Sequence, residues 1–406
     1  MQIHKLTIDN FRSKEHVQIR FGSRLTLLVG ENGCGKTTVL DAIAIGLGAA
    51  LTHLPKVNGI SFKTSDLKQT NNQLLPYTRV RIETIDHIVW DRTFRRDKSK
   101  KTTEEIPSGV GLSGLRKYLD EQVINPFNEG LNFTLPVFSY YGVSRALLNV
   151  PLRRRGFPKT HQRFESLENA LKAESRFKSA FVWFYNKEIE ESRKQRDIKS
   201  FEYKLPELEA VRNAIKKVFP TISEPHIMVH PLRFAVKMDE EILDIMQLSD
   251  GYKTLLSLVI DLASRMALAN PELANPLLAP ATVLIDEIDL HLHPDWQSRV
   301  IADLLNAFPH TQFILTTHSP YIIESVNNHL QRSNITGLPI EDNEIKKILP
   351  LPSNEVEAWY FTAKEEINLM DSEINLLDDK LIHPFNALSE LYNRMRDIQW
   401  ENQYHD

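Results

Sequence analysis

The 406-residue sequence predicts an α/β fold with a mixed sheet at its centre. Three stretches carry that prediction. RLTLLVG (24–30), ATVLID (281–286) and TQFILTTH (311–318) are short, continuous apolar runs, the pattern of strands buried on both faces. Helical spacing in TVLDAIAIGLGAAL (38–51) and DGYKTLLSLVIDLASRMAL (250–268) supplies helices to cover such a sheet. Hydrophobic residues make up 42% and charged residues 25%, the balance of a soluble globular chain.

The elements follow in order. QIHKLTI (2–8) and VQIRF (17–21) alternate at period two, as strands do, and lack the apolar centre of a signal peptide. TRVRIETI (78–85) and HIVWDRTF (87–94) add two strands, a helix is expected near Leu112–Val123, and LPVFSYYG (135–142) contains another strand. From about Arg153 to Pro220 the spacing turns helical, in SLENALKAESRFKSAFVWFYNKEIEESRKQRD and LPELEAVRNAIKKVF. Heptads are not sustained there, so the segment is a short helical insertion and not a long coiled coil. Trp183, Phe184 and Tyr185 within it are expected in the core. Strands return at HIMVH, LRFAV and EILDIM, and the chain closes on a mixed tail with helical spacing from Glu366 to Trp400. The expected organisation is a first lobe over 1–150, a helical insertion over 151–225, a second lobe over 226–330 and an acidic, helical tail region over 331–406.

Charge is uneven. From Leu330 onward there are 15 acidic and 7 basic residues, against 42 basic and 38 acidic in the remainder. The tail is a candidate docking surface or a helix packed on the body. The basic loops Arg92–Lys101 and Arg153–Arg163 are candidate nucleic-acid contacts or solvated turns. No apolar run reaches the 18 residues that a membrane span needs. The single cysteine, Cys34, allows no intrachain disulfide and fits a cytoplasmic location.

The chemistry concentrates in four motifs. GENGCGKT (30–37) places Gly30, Asn32, Gly33, Gly35, Lys36, Thr37 and Thr38 between a strand and a helix. Glycines let backbone N–H groups converge on phosphate oxygens, Lys36 brings a compact positive charge, and the Thr37 hydroxyl can ligate Mg²⁺. ATVLIDE ends a buried strand with Asp286, suited to the Mg²⁺ shell, and Glu287, suited to act as general base toward water. His291 and His293 lie two apart, which is not the i, i+4 spacing of a zinc helix. They belong to a loop crossing to another subunit or to the turn before Pro294. LSDGYK (248–253) opens a helix with Ser249 and Gly251, a second phosphate-binding surface, and FILTTHSP delivers His318 from a strand end toward a γ-phosphate.

In this order the motifs resemble the ABC-type ATPases of the SMC/RecF class, as does LTIDNFRS (6–13). The resemblance implies a P-loop ATPase head that binds ATP and Mg²⁺. It also implies a head-to-tail homodimer or higher oligomer, with each ATP between the P-loop of one subunit and Ser249 and Gly251 of the other. Arg12 would approach the nucleotide, and Asp289–His293 would cross to the partner. Asp250 stands where the class usually has glycine, which puts the rate of hydrolysis in question. SYYG (139–142) is the candidate Q-loop. The missing coiled-coil arms argue against a chromosome-scale ATPase, and the tail has no Asp-x-Asp nuclease site. LPVFSYYGVSRAL, QLSDGYKTLLSLVIDLASRMALANP and VLIDEIDLHLHPDWQ look most like the compact PtuA-type ATPases of the anti-phage Septu system and of retrons. That family implies a separately encoded, PtuB-like HNH nuclease partner and, in retrons, a reverse transcriptase with its RNA–DNA hybrid. A RecF-like ATPase that binds DNA directly is the alternative, and a nucleotide-binding scaffold that never hydrolyses is a third reading.

Overall fold

The computed structural model describes residues 1–146, 150, 151, 157, 158, 161–173, 177–378 and 394–396. The chain begins with β1 (Ile3–Phe11), β2 (Lys14–Arg20), β3 (Leu25–Gly30) and α1 (Lys36–His53), followed by β4 (Tyr77–Thr84), β5 (Val89–Arg95) and β6 (Val137–Tyr141). The next elements are α2 (Phe177–Ile198), α3 (Pro206–Val218), β7 (Ile222–Val229), β8 (Leu232–Met238) and β9 (Glu241–Asp244). Then come α4 (Asp250–Ala269), β10 (Ala281–Ile285), β11 (Thr311–Thr317), α5 (Pro320–Asn334), β12 (Val356–Phe361) and β13 (Glu366–Asn368).

The central sheet has the order β13-β12-β3-β11-β10-β6. Its strands run parallel except β13, which pairs antiparallel at the edge. Every residue of β3, β10 and β11 is buried, as their unbroken apolar runs require of strands covered on both faces. An antiparallel sheet, β2-β1-β4-β5, and a smaller one, β9-β8-β7, lie beside it in the strand framework, with two short two-stranded ladders at 69–74 and 370–377. α1 packs against both the antiparallel and the central sheet, which explains why it is apolar all round. Gly46 makes its close approach possible: a Cβ there would lie 2.4 Å from the Ile82 side chain. In the insertion, α2 and α3 pack on α4; Trp183 and Phe184 are buried as expected, whereas Tyr185 is only half-buried at the edge of the core.

The helical reading of the tail needs correction over 366–377, where Glu366–Asn368, Met370–Asp371 and Leu376–Leu377 are strands. Turn chemistry overrides the spacing: Asp371 Oδ1 accepts from the Glu373 amide, and Asn375 takes a left-handed φ of 57°. The rest of that reading, 379–393 and 397–400, lies outside the described residues. The acidic segment also contributes β12 to the central sheet, in parallel register with β3 from Val356↔Leu25 to Phe361↔Gly30.

Candidate active site

The phosphate-type loop starts where β3 ends. Gly30 has φ 139°, and a Cβ there would sit 2.2 Å from the Phe361 carbonyl oxygen, so this position has no room for a side chain. Gly35 (φ 100°) is the N-cap of α1; it offers no side-chain cap, and the first turn contains no acidic residue. The leading N–H groups of α1 are therefore left to an anion. Lys36 is 6% exposed, and its Nζ donates to the Gly30 carbonyl (2.7 Å) and the Glu31 carbonyl (2.8 Å). Burial holds its pKa below the usual lysine value, against the pull of Cys34 and Asp286. A buried ammonium resting on carbonyls instead of a carboxylate, beside an uncapped helix, suits phosphate oxygens. The residues present thus fit ATP.

The carboxylates arrive from β10. Asp286 is 4% exposed; its Oδ2 accepts from Thr37 Oγ1 (2.9 Å) and its Oδ1 from Thr316 Oγ1 (2.7 Å). A carboxylate paired with the Thr37 hydroxyl across the loop also fits a phosphate-bound Mg²⁺. Glu287 takes a left-handed φ of 49°, and its N–H donates to Thr316 Oγ1 (2.7 Å). Thr317 Oγ1 donates to Asp289 Oδ1 (2.6 Å) and accepts from the Ser319 amide (3.0 Å), which shapes the strand end that presents His318. A cavity of about 220 Å³ gathers Asn32, Gly33, Gly35, Lys36, Thr37 and Thr38 of the loop with Asp286, Glu287 and His318.

Other predicted residues stand apart from that cavity. Arg12 (φ 52°) is held by Asp41 (2.6 Å) and Asp66 (3.0 Å) and does not line it. Ser249 and Gly251 do not line it either. Ser249 is the N-cap of α4, yet its side chain caps nothing. A Cβ on Gly251 would meet the His291 carbonyl at 2.6 Å, and Tyr252 packs on Trp296 with ring centroids 4.8 Å apart. The signature and the 289–293 loop therefore form one packed surface. Asp250, exposed, is paired with Lys253 at 2.7 Å, which lowers its pKa. His293 N-caps the four-residue helix Pro294–Gln297 through Nδ1. Among the described residues no three His, Cys, Asp or Glu side chains could hold a metal ion together.

In the candidate Q-loop, Tyr140 Oη donates to Asp41 Oδ1 (3.0 Å), and Tyr141 Oη donates to Asp261 Oδ2 (2.8 Å) on the signature helix. Both basic loops are partly structural. Arg92 donates to the carbonyls of Ile45 and Ile60 (2.6 Å each), and Arg163 to those of Ala269 (2.7 Å) and Phe133 (2.8 Å). Residues 153–156, 159 and 160 of the second loop lie outside the described residues.

Sequence reasoning missed Thr316, Thr317 and Arg145. The paired threonines before His318 were a usable signal, since two hydroxyls at a strand end beside carboxylates can hold them in place. Arg145, 3% exposed, donates to the carbonyls of Asp286 and Glu287.

A family model described as an AAA domain matches residues 5–223, and a second AAA-domain model, described for the AbiEii toxin of a type IV toxin–antitoxin system, matches 129–324. The Retron Vc95 probable ATPase of Vibrio cholerae serotype O1 biovar El Tor is 28% identical over 383 residues, covering 80% of this chain and 72% of its own. Septu protein PtuA of Bacillus mycoides is 26% identical over 407 residues, covering 97% of this chain and 46% of its own. The SMC head domain from Thermotoga maritima is 15% identical with a TM-score of 0.45, covering 91% of this chain and 98% of that one. The resemblance drawn from the motifs, to SMC/RecF-type ATPases and PtuA, is borne out by the relatives.

Proposed function

Because this chain belongs to the AAA-domain family and is an ATPase, we propose that it is the nucleotide-switched subunit of an anti-phage defence complex. It closes head to tail around ATP and controls a separately encoded HNH nuclease. The observation that carries the dimer is the split of the motifs. Nine residues of the loop, of 286–287 and of His318 line one cavity, while Ser249 and Gly251 of the same chain do not reach it. Ser249, with no capping duty, and the packed 289–293 loop form a ready surface for the cavity of a second copy. The likeness to retron and Septu ATPases supports the defence setting; the nuclease and, in a retron, a reverse transcriptase with its RNA–DNA hybrid are the partners this reading adds.

In this reading Lys36 and the N–H groups of the loop and of α1 hold the phosphates, and Thr37 and Asp286 hold Mg²⁺. When bound there, the metal would supply positive charge that neutralises the phosphates. Glu287 orients the attacking water and takes its proton. His318 contacts the γ-phosphate side of the cavity. Ser249 and Gly251 complete the site from the partner, so hydrolysis and dimer opening are coupled. No described helix is long and apolar enough to cross a membrane.

The test is Glu287→Gln. Multiple-turnover hydrolysis is expected to disappear, and with ATP the variant is expected to run as a lasting dimer by light scattering. Ser249→Arg should bind ATP yet stay monomeric. Multiple turnover by Glu287→Gln would eliminate the general-base assignment, and a monomer under every condition would eliminate the sandwich. The RecF-like alternative predicts an affinity for DNA that falls steeply with salt. It is weakened by the structural use of Arg92 and Arg163.

A further inference from the structure

We propose that Arg145 is a positioning residue for hydrolysis: its guanidinium grips the main chain of Asp286 and Glu287 from behind and so aims the Glu287 carboxylate into the cavity. The inference rests on the reading of Glu287 as the base.

Arg145 stands in the short turn Val143–Ala146 that follows β6. Nη1 donates to the Asp286 carbonyl (2.5 Å) and the Gly142 carbonyl (3.2 Å), and Nη2 donates to the Glu287 carbonyl (2.5 Å). All three acceptors are main-chain oxygens. Two parallel N–H donors on one planar group match two successive carbonyls, a geometry that a lysine ammonium does not reproduce. Burying such a cation is costly, and burial pushes its pKa down to about 10, opposed by the carboxylates of Asp286, Asp289 and Glu287. It therefore stays charged at neutral pH, a fixed positive charge close to the catalytic carboxylates.

The backbone it grips needs holding. A left-handed φ is uncommon for glutamate and persists only where the surroundings over-determine it. Thr316 fixes the N–H of Glu287, and Arg145 shares its carbonyl with the Leu290 N–H (2.9 Å), so both ends of the residue are tied and Arg145 joins that turn to the end of β6. The same guanidinium holds Gly142, at the end of the candidate Q-loop, and so ties that segment to the catalytic pair.

The test compares Arg145→Lys, Arg145→Met, Glu287→Gln and the double variant Arg145→Lys/Glu287→Gln, using equilibrium ATP binding, kcat, KM and single-turnover rates, with folding checked by thermal melting. For Arg145→Lys the expected result is ATP affinity within about twofold of wild type, unchanged KM and a kcat lower by about 100-fold, the scale of a misplaced catalytic group. In single turnover, which can be followed where Glu287→Gln no longer cycles, the double variant should be no slower than Glu287→Gln alone. Arg145→Met removes both donors, so its kcat should fall at least as far as that of Arg145→Lys, again with KM unchanged. If Arg145→Met does not fold, Arg145→Lys decides. A kcat for Arg145→Lys within about threefold of wild type would overturn the proposal. So would a loss of ATP affinity in step with rate, or a double variant whose loss is the product of the two single losses. If Glu287→Gln hydrolyses like wild type, the base reading falls and this inference falls with it. If Glu287→Gln is inactive and Arg145→Lys is active, only the role of Arg145 falls.

Discussion

Thr316→Val should uncouple folding from hydrolysis to a degree that can be worked out from two hydrogen bonds. Thr316 is fully buried; its hydroxyl donates to Asp286 Oδ1 (2.7 Å) and accepts from the Glu287 N–H (2.7 Å). Valine keeps the shape and removes both bonds. The bond to a charged carboxylate is worth about 1.5–3 kcal/mol, and leaving the Glu287 amide unpaired costs about 1–3 kcal/mol. Thr37 still donates to Asp286 Oδ2, and the new methyl group recovers part of the loss, so the net destabilisation should be roughly 2–4 kcal/mol. The catalytic effect should be larger than that implies for a core residue, because Glu287 loses the anchor of its N–H and a displacement of about 1 Å costs about 100-fold in rate. The assay is chemical denaturation beside steady-state hydrolysis, with Thr316→Ser as the control that keeps the hydroxyl. Thr316→Ser should hydrolyse close to wild type. Hydrolysis by Thr316→Val within about twofold of wild type, or equal damage in the serine control, would refute the reasoning.

Three further outcomes are expected. Asp261→Leu leaves buried Arg265 without its counter-charge (2.7 Å) and Tyr141 without its acceptor, so it should cost about 3–5 kcal/mol by denaturation, whereas Asp261→Leu/Arg265→Met should come much closer to wild type. Glu188, whose pKa burial raises to about 7, should make stability fall as pH rises from about 4.5 to 7, because the folded state keeps a proton that the unfolded state has released; Glu188→Gln should remove up to roughly 3 kcal/mol of that slope, read from melting at pH 4.5 and 8. On the proposed head-to-tail dimer, Lys253→Met would release the exposed Asp250 carboxylate toward the phosphates held by the second copy, so hydrolysis should slow severalfold and recover in Asp250→Asn/Lys253→Met; equal rates in wild type and both variants would remove Asp250 from the account of turnover.

The parts of the site that were legible lie on local patterns. β3, β10 and β11 are buried on both faces, so their unbroken apolar runs stand out, and each ends in the chemistry it positions: Gly30, Asp286 and His318. β12 was hidden because its burial comes from pairing with β3 some 330 residues earlier, and nothing in VEAWYF announces that partner. Arg145 was hidden for a different reason. It sits at the head of a run rich in arginine, RALLNVPLRRR, where composition suggests solvated charge, and only the fold turns its side chain inward onto Asp286 and Glu287. Thr316 and Thr317 stood out only as a pair of hydroxyls before His318, and which carboxylates they hold is decided when β11 is set beside β10.

Placing β12 beside the phosphate loop also changes what the acidic segment means. Excess negative charge there suggested a surface for a partner, yet part of it has an internal use. Glu366 accepts from Lys14 Nζ at 2.5 Å, and both side chains are largely shielded from water. Lys14 also lies over the Phe361 ring, 5.6 Å from its centroid, and its Cε is where a Cβ on Gly35 would come within 2.6 Å. Phe361 in turn closes on Gly30 through its carbonyl. Gly30 and Gly35 are thus hemmed in by β12 and by the lysine that Glu366 of β13 holds, while Gly33 between them stays open. A loop that must present N–H groups to phosphate gains rigidity from such packing at its two ends. The phosphate-binding half of the fold therefore depends on residues beyond 355, and the first 150 residues alone do not contain everything that shapes the loop.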